Sequence, residues 1–135
     1  MIIIDTSAWL LALRKEFHPV IKERIEKILL ESEVAVTGII ILELLGGTKI
    51  ENEYYRLKSR LDSLYYIEAD KSLWNNSSRL AFDLRRKGIT IPFTDIFIAA
   101  STINTNAKLI HADSHFELIS QHTELNVESY LPLIQ

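Results

Sequence analysis

Cysteine is absent from the 135 residues, which excludes disulfides and thiolate metal sites, so that any metal must be held by oxygen or imidazole. A reducing compartment is the expectation that goes with this. Glycine and proline are scarce, at four and three residues, and no repeat, low-complexity tract or linker divides the chain. A long apolar run is missing too. The longest, from Val34 to Leu45, is interrupted by Thr37 and Glu43 and is too short to span a bilayer. The opening MIIIDTSAWLLALRK lacks a basic start and carries Asp5 where the apolar part of a signal peptide would lie. A cytoplasmic protein without membrane contact is therefore expected. Nor is there an excess of positive charge. The formal net charge of −3 gives no blanket attraction for nucleic acid, whose binding depends on neutralising phosphates. Local basic groups do occur at Arg14/Lys15, Lys22/Arg24/Lys27, Arg56/Lys58/Arg60 and Arg85/Arg86/Lys87. Each reads as a solvated helix face or as a local phosphate contact.

What remains is 47% hydrophobic and 24% charged, the composition of one ordinary globular domain. MIII is a β-branched run that predicts a buried strand, and DTSAWLLALRK predicts a helix with capping residues at its start. HPVIKERIEKILLE places Pro19 at a first helical position and Val20, Ile21, Ile25, Ile28 and Leu29 on one face. EVAVT predicts a strand, Thr37 a helix cap, and GIIILELL a buried helix closed by Gly46 and Gly47. A helix from Ile50 to Leu64, a strand at YYIEA and a helix from Lys71 to Lys87 follow, the last with Trp74, Ser77, Ser78, Ala81 and Leu84 on its inward stripe and Gly88 at its end. IPFTDIFIAASTIN predicts a further helix, AKLIHA a strand, SHFELIS a short helix and LNVES a final extended segment. Strands alternating with helices imply a small α/β domain, a parallel sheet with helices on both faces.

In such sheets ligands bind beyond the carboxyl ends of the strands. Asp5 directly follows the first strand, Asp113 follows LIHA, and Asp95 lies in the first turn of a helix. Glu43, the one charge in GIIILELLGG, sits where a long side chain can reach the same edge. A lone carboxylate cannot be buried in hydrocarbon, so Glu43 must be neutralised, reach solvent or bind a cation. Each acid also has a purely structural reading. Asp5 and Asp113 can cap helices, Asp95 can favour a helix N-terminus, and Glu43 can pair with a distant Arg or Lys. As a set, four carboxylates without cysteine suit hard divalent cations such as Mg²⁺ or Mn²⁺ and hence phosphoryl chemistry.

The residues IIIDTSAWL, IILELLGG, IPFTDIFIAAS and LIHADSHF, in this order and spacing, resemble the four acidic motifs of PIN-domain ribonucleases, in particular VapC-type toxins of toxin–antitoxin pairs. The resemblance covers essentially the whole chain, residues 1–135, as one PIN domain. It implies a PIN-like fold and an endoribonuclease dependent on Mg²⁺ or Mn²⁺, with Asp5, Glu43, Asp95 and Asp113 as metal-holding catalytic residues and Thr6, Ser7 and Thr94 as supporting hydroxyls. It further implies an RNA substrate cut by water to leave 5′-phosphate and 3′-hydroxyl ends, a homodimer, a cognate antitoxin that covers the site, and promoter DNA bound only through that antitoxin. His111 with Ala112 departs from the pattern, which has a small hydroxyl residue and a polar one before the last acid. His111, Asp113 and His115 also form a possible transition-metal set, against which stands the placement of His111 on a strand and His115 on the next helix; the other reading of His111 is packing or support beside the ligands. Two rival functions stay open: a PIN nuclease of RNA maturation or decay outside toxin–antitoxin pairs, and a non-catalytic PIN-like module that binds RNA or protein.

Overall fold

Strand β1 (Ile2–Ile4) ends directly on Asp5, whose side chain caps α1 (Thr6–Leu13) by accepting from the Ser7 amide. The computed structural model describes residues 1–14 and 19–134, so Lys15 and His18 of the predicted basic group and helix lie outside the described residues. After these come α2 (Pro19–Glu31), β2 (Val34–Thr37), α3 (Gly38–Gly46), α4 (Glu51–Asp62), β3 (Tyr65–Ile67), α5 (Lys71–Arg86), α6 (Phe93–Asn104), β4 (Lys108–His111), α7 (Ser114–Ser120) and β5 (Asn126–Ser129). A single 3₁₀ turn at Leu131–Leu133 follows. No helix among the described residues is long and apolar enough to cross a membrane.

All strand pairs are parallel, and the sheet order is β3-β2-β1-β4-β5. The chain thus leaves the central β1 toward β2 and β3, then crosses back to add β4 on the other side. Right-handed crossovers place α1 to α4 on one face and α5 to α7 on the other. Helix contacts fall into the same groups, α1 with α2 and α3, α3 with α4, α5 with α6 and α6 with α7; α3 also touches α6. Reversal of strand order between β1 and β4 opens a crevice at their carboxyl ends. The sequence-based expectation of a parallel sheet covered on both faces is met.

The central strands bury Ile3, Ile4, Ala35, Val36, Leu109 and Ile110, which explains their unbroken β-branched and aliphatic runs. Helix α6 is buried from Ile96 to Thr102. Its two buried hydroxyls, Ser101 and Thr102, donate to the carbonyls of Phe97 and Ile98 one turn back, at 2.7 and 2.8 Å, so they add no unpaired polar group to the core. No buried side-chain polar atom among the described residues lacks a partner.

Three expectations about faces need correction. Helix α3 buries Ile40, Leu44 and Leu45 while Leu42 is 71% exposed and Glu43 is exposed, so it lies half in solvent rather than inside the core. On α5 the inward stripe is Leu73, Ser77 and Leu84, and Trp74 and Ser78 point outward. Trp74 nevertheless lays its ring against Phe97, centroids 4.6 Å apart. Val20 on α2 is also exposed. These residues flank an apolar stripe that only one neighbouring layer covers, and periodicity alone does not say how far that layer reaches. Glycines do close α3 and follow α5 as the sequence suggests: α3 ends at Gly46 with Gly47 in an ordinary right-handed turn (φ −88°), and Gly88 after α5 adopts φ +82°, the conformation that glycine takes at no steric cost.

Candidate functional site

The junction after β1 is tied to the junction after β4 by one hydroxyl. Ser7 Oγ donates to Asp5 Oδ2 at 2.6 Å and accepts from the Ala112 amide at 3.0 Å. The Ser7 amide donates to the same Oδ2 at 3.0 Å, and the Asp5 amide donates to the Ile110 carbonyl at 2.9 Å. Asp5 Oδ1 receives no hydrogen bond among the described residues, and since no buried polar atom there is unpartnered, that oxygen keeps contact with solvent. At Ala112 it is the backbone amide that holds Ser7, a contact that does not depend on the side chain.

Thr6 Oγ1 donates to Glu43 Oε1 at 2.9 Å, drawing Glu43 from α3 toward the start of α1. Asp95 stands in the first turn of α6, and its side chain is 14% exposed. Asp113 caps α7, its Oδ1 accepting from the His115 amide at 2.9 Å. Capping and clustering are therefore compatible: Asp5 and Asp113 each cap a helix and still present carboxylate to the crevice. The Thr6 and Ser7 hydroxyls thus each donate to one of the acids. Thr94 is exposed, and among the described residues its hydroxyl bonds to none of them.

The acids feel one another. Burial pushes the Asp5 carboxyl up to about 6; the Ser7 hydrogen bonds oppose this, and the charges of Asp95 and Glu43 add to it. Asp95 is also raised, by burial first, with Asp113 and Glu43 raising it further and His115 lowering it. Among the described residues none of the four carboxylates is ion-paired with a Lys or Arg; the basic side chain beside them is the His115 ring, 2.8 Å from Asp95 Oδ2 and 3.3 Å from Asp113 Oδ1. Asp95, Asp113 and His115 can bring one donor atom each within 4.8 Å of the others. Asp5 and Glu43 stand outside that tight group but close enough to act on its charge. An acid cluster of this kind, hard in its donors and lacking a fixed countercharge, fits a divalent cation.

The question of Glu43 has a plain part to its answer. It reaches solvent, so no buried charge needs explaining, and a distant Arg or Lys partner is absent among the described residues. Glu43→Gln is expected to leave the melting temperature within the small range of surface substitutions, while divalent-cation affinity falls about tenfold. Thermal melts in EDTA and calorimetric titrations check the two halves separately.

His111 is fully buried. Its Nδ1 accepts from the Asp113 amide at 3.1 Å, so Nε2 carries the proton and donates to Glu117 Oε1 at 3.1 Å. Burial lowers its pKa, outweighing Glu117, which keeps the ring neutral. It shapes the turn from β4 into Asp113 and offers no free nitrogen, which leaves it out of any transition-metal set. His115, weighed in the sequence only together with His111, is the residue brought to the acids. Glu117, the partner of His111, went unnoticed; the only local sign was its position on the first turns of a helix that starts beside a buried histidine.

The PIN domain family model matches residues 2–121 of the chain. A VapC ribonuclease of Mycobacterium bovis and the ribonuclease VapC11 of Mycobacterium tuberculosis are each 28% identical to it over 134 residues, covering 96% of this chain and 99% of theirs. Among solved structures, VapBC2 of Rickettsia felis, bound to a DNA fragment from its promoter, superposes with a TM-score of 0.79 at 25% identity, over 96% of this chain and 98% of that one. VapBC-1 of nontypeable Haemophilus influenzae gives a TM-score of 0.77 at 20% identity, over 97% and 99%; at that identity the likeness is one of fold.

Proposed function

Because the chain belongs to the PIN domain family, we propose that it is a Mg²⁺- or Mn²⁺-dependent endoribonuclease, cytoplasmic, and the toxin of a type II toxin–antitoxin pair. The observation that carries the reading is the meeting of Asp5, Glu43, Asp95 and Asp113, from four separate elements, at the carboxyl ends of β1 and β4 where the strand order reverses. Similarity to VapC ribonucleases supports the nuclease, and the solved VapBC complexes of relatives support an antitoxin partner. A homodimer, and promoter DNA reached through the antitoxin, belong to the same proposal.

The four carboxylates would hold the cation, which when bound supplies charge neutralisation and Lewis acidity for attack of water on an RNA phosphodiester. The chain's own residues do the rest. Ser7 fixes the Asp5 carboxylate by two donors to Oδ2, so that Oδ1 keeps contact with solvent. Thr6 holds one Glu43 oxygen and so limits the rotamers of an otherwise exposed side chain. The cap at the start of α7 orients Asp113. Such anchoring keeps mutually repelling acids in place before substrate arrives.

The test is cleavage of a mixed single-stranded and hairpin RNA substrate by the purified chain, with Mg²⁺, with Mn²⁺ and with EDTA, followed by mapping of product ends. Cation-dependent cleavage leaving 5′-phosphate and 3′-hydroxyl ends is expected. Cleavage that persists in EDTA, or that leaves cyclic phosphate ends, would sink the mechanism. Growth arrest on expression, relieved by co-expressing a small open reading frame if one adjoins its gene, tests the toxin–antitoxin part.

A further inference from the structure

His115 approaches the acids in a way that the function proposed above does not use. Its Nδ1 lies 2.8 Å from Asp95 Oδ2 and 3.3 Å from Asp113 Oδ1. Two donors about 2.1 Å from one ion and at right angles to it are about 3 Å apart. Both separations are therefore those of neighbouring corners of one coordination polyhedron. The ring is also anchored at its root, because the His115 amide donates to the same Asp113 Oδ1 that would take another corner. Its side chain is 41% exposed, so an ion can reach it. His111 is the internal contrast, fully buried with both ring nitrogens engaged elsewhere.

We propose that His115 is a nitrogen ligand of the cation site beside Asp95 and Asp113, and that this mixed nitrogen–oxygen set selects a first-row transition ion over Mg²⁺. The inference rests on the reading of the acids as a cation site. Without an ion, Nδ1 makes a hydrogen bond with Asp95 Oδ2 and stands 3.3 Å from Asp113 Oδ1. With one, Nδ1 would turn its lone pair to the ion and the ring N–H would lie on Nε2. Mg²⁺ favours oxygen ligands and gives up water reluctantly, whereas imidazole suits the later divalent ions, whose affinity for a given site rises from Mn²⁺ toward Cu²⁺. A second-row position on α7 thus turns a site that four carboxylates would leave to hard ions into one with a preference.

The experiment is calorimetric titration of the metal-free chain with MgCl₂, MnCl₂ and CoCl₂, for the wild type, His115→Gln, His115→Ala and Asp95→Asn, with the visible spectrum of bound Co²⁺ recorded in parallel. Co²⁺ is expected to bind the wild type more tightly than Mg²⁺. Both His115 variants should lose about tenfold in Co²⁺ affinity and shift the Co²⁺ absorption, with Mg²⁺ affinity held within about twofold. An unchanged Co²⁺ affinity and spectrum would overturn the proposal. So would equal weakening of Mg²⁺ and Co²⁺, which is what a ring that merely orients Asp95 would produce. Should a variant fold poorly in melts taken in EDTA, ¹⁵N NMR of the wild-type histidine rings with Zn²⁺ decides instead: a displaced Nδ1 resonance of His115 supports ligation, an undisplaced one refutes it. If no cation binds the wild type, the four-acid reading fails and this inference with it. If binding depends on Asp95 and not on His115, the inference alone fails.

Discussion

Asp5→Asn is expected to abolish cleavage and, in the absence of cations, to make the protein more stable. Both effects come from the same buried carboxylate. Asp5 is 4% exposed, and its pKa rises from 3.8 to about 6 because burial disfavours the charge. Between those values the folded state binds more protons than the unfolded one, so stability declines as pH rises from about 4 to 6 and stays lower above that. A shift of about two units corresponds to about 3 kcal/mol. Asparagine keeps an oxygen that accepts from the Ser7 amide and hydroxyl but carries no charge. In EDTA at pH 7 to 8 its melting temperature should exceed that of the wild type by up to roughly 10 °C, and the gap should close below pH 4.

The same variant should lose on the order of 10³-fold in cleavage, as expected when a charged group that organises the transition state is removed. Cations should also stabilise it less. They raise the stability of the wild type by mass action, about 2.7 kcal/mol at a hundredfold excess over Kd, and that increment should shrink in Asp5→Asn. Binding to the wild type should weaken below pH 6, where the cation must displace the Asp5 proton. A variant that cleaves like the wild type would take Asp5 out of the site, whatever its melting temperature.

A second large effect is expected at a cluster that none of the four acids joins, on stability alone. Glu128 on β5 takes both forks of the Arg24 guanidinium at 3.0 Å, Lys108 Nζ at 3.3 Å and the Tyr130 hydroxyl at 2.7 Å. These contacts join α2, β4 and β5 through residues 104 positions apart. They hold the Glu128 carboxyl down to about 2, the Arg24 hydrogen bond contributing most against the cost of burial. Burial and the neighbouring carboxylate push the Tyr130 phenol up to about 12, so it stays a donor. A depressed carboxyl stabilises the fold above its unfolded pKa of 4.5, and this contribution is lost as pH falls toward 2. Because the Arg24 and Glu128 side chains keep 36% and 22% exposure, solvent screening reduces it to about 2 kcal/mol. Glu128→Gln should therefore melt roughly 5 to 7 °C below the wild type at pH 7, with the gap closing between pH 4.5 and 2. Cleavage per folded molecule should be unchanged. A constant gap across that range would mean that packing and not charge accounts for the loss.

Local signals in the chain were enough for much of this protein. β-Branched runs marked the central strands; Asp5, Thr37 and Asp113 marked helix starts and do cap them; alternation of the two element types implied the parallel sheet. Asp5 and Asp113 were placed by position alone, since a residue that follows a parallel strand must lie at the carboxyl edge, whereas Asp95 opens α6, which follows α5 and not a strand. Each of these inferences concerns neighbours within a few residues, where backbone geometry leaves little choice. Tertiary structure decided what depends on residues far away in sequence. It set Glu43 in solvent under the Thr6 hydroxyl, turned Trp74 and Leu42 outward, exposed Thr94, and joined Arg24 to Glu128. It also sent the two histidines of HADSH to opposite fates, His111 into the core and His115 onto the carboxylates. Two residues four apart on either side of a strand–helix turn differ in surroundings because the turn reverses which layer they face, and only the packed layers determine what stands there.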